Sequence, residues 1–283
     1  MRKCGPPGEK SRRTDDTVNE SSASDYFAAV DARTRQSAER FAPFKPQFRA
    51  MEEWAYAALD SMKGRVDGRW RGWVAYQMAR CIRIFRSCGL LLAHGQCTES
   101  LALTRGLFDS MLTVYWVAQD PDERIVRVIE GSTWKEREMS LKALRDAAPE
   151  ERRYHDMLDE IFSEQRPKNI PSTRQLAEGL LAEGLMLYGT LYSMSSAFLH
   201  GQGGELQYLY GFTGEKTLSV DPLPSRVGFD ISVLSLHETF RVAIGRAARA
   251  LGVDAGDPPL SAEFAQWRAE VMKNTATTDQ GPA

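Results

Sequence analysis

Apolar residues recur along this chain at intervals of three and four rather than alternating, the period of one face of an α-helix. The pattern predicts helices over roughly 25–41, 46–63, 69–94, 97–119, 121–147, 150–165, 172–182, 184–200, 228–251 and 260–273. Helix punctuation supports them: Thr98 is placed to cap the helix that Glu99 opens, Asp120-Pro121 ends one helix and starts the next, and Pro171-Ser172-Thr173 opens another. The stretch 202–227 breaks the period with Gly203, Gly204, Gly211 and Gly214, and reads as a short β-hairpin or irregular loop. The expected fold is therefore all-α, a multi-helix bundle. It forms a single helical domain over 25–272, between disordered tails at 1–24 and 273–283 that carry few large apolar groups.

Composition leaves that picture in place and narrows the surroundings. The chain has 283 residues, 42% hydrophobic and 26% charged, enough apolar material for a core without staples. A net charge of −2 gives no global electrostatic case for nucleic acid or an anionic surface. The longest apolar run is broken by His94, Gly95 and Gln96, short of the ~20 residues a membrane span needs. No apolar leader follows the first methionine, and Cys4, Cys81, Cys88 and Cys97 form no CxxC pair. Reduced thiols and a cytoplasmic location are expected.

The densest candidate chemistry is the segment from Gly189 to Gly201, where Tyr192, Ser196 and His200 stand four residues apart on one helical face of an apolar run. His200 falls in the last turn, where the helix dipole favours the imidazolium. On the apolar helix 97–119, Arg105 and Asp109 are also four apart. Two readings stand for them: an ion pair that fixes packing, or a guanidinium fork offered to an anionic ligand. Arg69, Arg80, Arg83 and Arg86 make a basic stripe beside Trp70, Trp73 and Tyr76, read either as a solvated, ion-paired face or as a nucleic-acid contact.

Familiar chemistries are missing their signatures. No Gly-x-Ser-x-Gly elbow surrounds Ser196, and His94, His155, His200 and His237 belong to no His-Glu-x-x-His or Glu-x-x-His pattern. There is no phosphate loop and no dinucleotide fingerprint. No metal and no cofactor is expected, and catalytic residues are unassigned, with His200, Arg105 and Ser196 as the candidates.

The combination of Arg105-Gly-Leu-Phe-Asp109 with the later Tyr192-x-x-x-Ser196-x-x-x-His200 resembles the bacterial family of unknown function DUF5677 over roughly residues 45–250. That resemblance implies a helical domain with a shared polar site, and supplies no activity. Asp109 stands where glutamate is usual, one methylene shorter. A looser similarity is to HEPN-type helical ribonucleases, in which an Arg and a His four to six residues apart cut RNA, commonly across a dimer interface. Here Ser195 occupies the position five before His200, so the ribonuclease signature is missing.

The leading expectation is an interior polar site built from Arg105, Asp109, Tyr192, Ser196 and His200 that binds a small molecule or a protein partner beneath the 202–227 segment. The alternatives are a metal-independent ribonuclease of a defence system, with RNA as partner, and a structural or assembly protein. A homodimer is compatible with each.

Overall fold

The computed structural model describes residues 20–144, 170–179, 210–212, 218–220 and 228–278. Its elements are α1 (Glu20–Phe41), a 3-10 turn (Ala42–Phe44), α2 (Lys45–Asp60), α3 (Arg69–Ala93), α4 (Cys97–Gln119), α5 (Pro121–Leu144), α6 (Thr173–Glu178), β1 (Tyr210–Phe212), β2 (Leu218–Val220), α7 (Phe229–Ala250) and α8 (Ala262–Thr278). The protein is an all-α bundle. Its two short strands pair antiparallel, with Tyr210 opposite Val220 and Phe212 opposite Leu218.

The centre is a three-helix unit of α3, α4 and α7, each packed extensively on the other two. Every one of them carries a wide apolar face: Val74, Met78, Ile82, Phe85 and Leu92 on α3, Leu107, Phe108, Met111 and Leu112 on α4, and Val233, Leu236, Phe240 and Ile244 on α7 are buried. The seam between these helices is lined with small polar residues that bond to backbone. Cys88 Sγ on α3 donates to Ser100 O at 3.4 Å, Thr104 Oγ1 to the same carbonyl at 2.9 Å, and Ser232 Oγ to Cys97 O at 3.1 Å. Short side chains allow the helices to approach, and these carbonyls satisfy the Cys88, Thr104 and Ser232 groups that burial would otherwise strand.

Rings extend the core outward. Phe41, Phe48, Phe85 and Phe240 run in series from α1 through α2 and α3 to α7, with centroids 5.0, 4.8 and 4.0 Å apart. Phe44 of the 3-10 turn packs on Phe229, Phe264 and Trp267, fastening α7 and α8 to the same corner.

The ends of the central helices are set by sequence. After α3, Gly95 adopts φ 78° while its N–H donates to Leu92 O at 3.1 Å and that of Gln96 to Leu91 O at 2.8 Å. This paired closure needs a left-handed residue, which glycine supplies without Cβ strain. The same device ends α7, where Gly252 donates to Arg249 O and Val253 to Ala248 O.

Several boundaries differ from the sequence expectation. Thr98 is not the cap of α4: the helix begins at Cys97, and Thr98 Oγ1 donates instead to Glu99 Oε2 at 2.8 Å. Helix α2 ends at Asp60 because residues 61–65 turn tightly into Gly64, which takes φ 77°. Helix α8 runs to Thr278, past the expected stop at 273, and α1 begins at Glu20.

Candidate functional site

Helix α4 carries the Arg105–Asp109 pair on the margin of its buried face, as a spacing of four requires. Arg105 Nε lies 3.7 Å from Asp109 Oδ2, an ion pair longer than a hydrogen bond, with the side chains 20% and 39% exposed. Neither group is on the open surface and neither is sealed in the core.

A second element closes on the carboxylate. Ser172 caps α6 in a capping box: its hydroxyl accepts from Gln175 N, and the Gln175 side chain accepts from Ser172 N at 2.9 Å. This fixes the first turn, and the next residue, Thr173, donates through Oγ1 to Asp109 Oδ1 at 3.2 Å. From α3, Arg80 Nη1 donates to Ser110 Oγ at 2.8 Å and its charge bears on Asp109. Gly106 leaves room for Ile84 of α3: a Cβ there would sit 3.2 Å from Ile84 Cδ1.

Burial holds the Asp109 carboxyl above the ordinary aspartate range, against the opposing pull of Arg105, the Thr173 hydrogen bond and Arg80. The site is thus a partly desolvated carboxylate set among guanidinium and hydroxyl donors from α3, α4 and α6. Such a group can accept hydrogen bonds or take part in proton exchange, and an arginine beside it can orient an anion. Tyr192, Ser196 and His200 lie outside the described residues, as do the expected helices 150–165 and 184–200.

The other candidates resolve differently. In the basic stripe, Arg86 is spent on Glu52 at 2.8 Å and Arg80 on Ser110, whereas Arg69 and Arg83 are exposed. Trp70 and Trp73 pack against the core, and Tyr76 is 54% exposed. Cys81, Cys88 and Cys97 are buried thiols, pushed up by burial to about 12, 11 and 12, and no disulfide joins them. Among the described residues no group of His, Cys, Asp and Glu is arranged to hold a metal ion, and no helix is long and apolar enough to cross a membrane.

Sequence reasoning passed over one polar cluster. His237 on α7 is 1% exposed. Gln47 on α2 accepts from Ser261 N at 2.9 Å through Oε1, which directs its amide nitrogen to donate to Pro259 O at 2.7 Å and to His237 Nε2 at 3.0 Å. His237 therefore carries its proton on Nδ1 and donates to Glu238 Oε1 at 3.2 Å. Arg241 and Arg268 pair with the same carboxylate. Burial pushes Glu238 up, but the His237 hydrogen bond and the two arginines outweigh it and hold the group at about 2. The only signal in the sequence was the dipeptide His237-Glu238; Gln47 is 190 residues away.

Fold and site together define a helical bundle of the all-α class with a half-buried arginine–carboxylate seam on its central helix. A family model described as a family of unknown function, DUF5677, matches residues 72–216, a span that contains Arg80, Arg105, Asp109 and Thr173. The chain belongs to the DUF5677 family. No match was found among curated proteins or solved structures.

Proposed function

We propose that the seam around Arg105 and Asp109 binds a small polar ligand or a short segment of a protein partner, with Tyr192, Ser196 and His200 as further lining residues. The reading rests on one observation: Asp109 is held in a site desolvated enough to raise its pKa, yet open enough to leave 39% of its side chain exposed. A packing-only ion pair on the bundle surface would be solvated, and one in the core would be closed. Donors arranged around a part-exposed carboxylate, with arginines beside it, suit a ligand carrying both an anionic group and a hydrogen-bond donor. The three buried thiols, none of them paired with another, support a reducing cytoplasmic location.

Thermal-shift screening with carboxylated and phosphorylated small molecules, repeated on Arg105→Gln, Asp109→Asn and His200→Ala, tests the proposal. Ligands that stabilise the wild type should lose most of their shift in all three variants. Undiminished shifts in Arg105→Gln and Asp109→Asn would make the seam a packing feature, and an undiminished shift in His200→Ala alone would remove that residue from the site.

A further inference from the structure

Helix α3 contains five arginines and no acidic residue, so its charge must be met from elsewhere. Two of the five pair with carboxylates, Arg71 with Asp67 and Arg86 with Glu52, and a third, Arg80, is turned inward to bond Ser110. Arg69 and Arg83 are exposed, and no hydrogen bond or ion pair engages either among the described residues. They stand fourteen residues apart, with Tyr76 midway, seven from each. A spacing of seven is two turns less about 20°, so all three share one narrow sector of the helix, spanning roughly 21 Å from the first arginine to the second. Tyr76 is 54% exposed. Small residues, Gly72 and Ala79, stand one turn before and one turn after Tyr76.

An exposed aromatic ring between two unneutralised guanidinium groups matches a specific polyanion: one whose charges repeat along a backbone and whose flat groups are free to stack. Duplexes keep their bases stacked on one another, and anionic lipid surfaces have no flat group to offer. We propose that the α3 face bearing Arg69, Tyr76 and Arg83 binds single-stranded nucleic acid, the arginines contacting phosphates and Tyr76 stacking on a base. This surface is separate from the Arg105–Asp109 seam and stands or falls without it.

The test is fluorescence anisotropy of a dye-labelled oligouridylate with the full chain across a salt series. Two phosphate contacts to a single strand predict a slope of log K against log salt of about −1.4, falling to about −0.7 in Arg69→Gln or Arg83→Gln. Tyr76→Ala should weaken binding about tenfold while Tyr76→Phe, which keeps the ring, stays near wild type. Circular dichroism of each variant should be unchanged, because the three side chains lie on the surface. The proposal is overturned if the oligonucleotide does not bind, or if Tyr76→Ala binds it as the wild type does. It is equally overturned if heparin or phosphatidylserine vesicles compete at equal charge, since the face would then be reading charge alone.

Discussion

Two carboxylates show how environment separates identical chemistry. Asp109 is raised by burial, so the folded state holds its proton at a pH where the unfolded chain has released it; stability falls as pH climbs from the ordinary aspartate value of 3.8 through the raised folded value. Asp109→Asn has no charge to bury, so its stability relative to wild type should improve steadily across that window in urea titrations. Glu238 behaves in the opposite sense. Its folded value of about 2 lies below the unfolded 4.5, so its contribution is complete above 4.5 and is lost as pH falls toward 2. Glu238→Gln should cost about 2 kcal/mol at neutral pH and flatten the acid limb of the stability profile. The Arg105–Asp109 pairing was legible because four-residue spacing on a helix places two side chains together by geometry. Thr173, 64 residues beyond Asp109, and Gln47, 190 before His237, were not, since no local period reports a tertiary hydrogen bond.

Among the elements, legibility followed the strength of the local code. Helices α3 and α4 were placed within one residue because a long apolar face ends at His94-Gly95-Gln96, where a left-handed glycine closes one helix before the next begins. Thr98 misled because a threonine beside a glutamate resembles a cap wherever it falls, whereas the backbone had already turned helical at Cys97. The helix opening at Pro171-Ser172-Thr173 was legible from its punctuation, and the structure makes Ser172 the cap, boxed with Gln175 three residues on. Its removal is informative about the site as well as the helix. Ser172→Ala should cost about 1 kcal/mol in chemical denaturation, and by fraying the turn that carries Thr173 it should raise amide exchange at Gln175 and Leu176, whose N–H groups bond Ser172.

For the molecule as a whole, the phenylalanine series and the α3–α4–α7 seam make burial continuous from α1 to α8. The thiols are a probe of that continuity. In a Cys4→Ser variant, Cys81, Cys88 and Cys97 should stay inert to a thiol reagent in the folded protein at pH 8 and titrate together on unfolding, because burial keeps each protonated. Reaction of one alone in native buffer would mark a local opening of the bundle. The Gln47 clasp carries a different consequence, which concerns the order of synthesis. The amide of Gln47 is satisfied by Pro259, Ser261 and His237, all made more than 180 residues later. While the chain emerges from the ribosome, α1, α2 and α3 can pack at once through Phe41, Phe48 and Phe85, being neighbours, but the buried Gln47 amide of α2 must wait for its partners. A nascent chain halted before residue 259 is therefore left with an incomplete corner, because Pro259 completes the bonding of a side chain made 212 residues earlier.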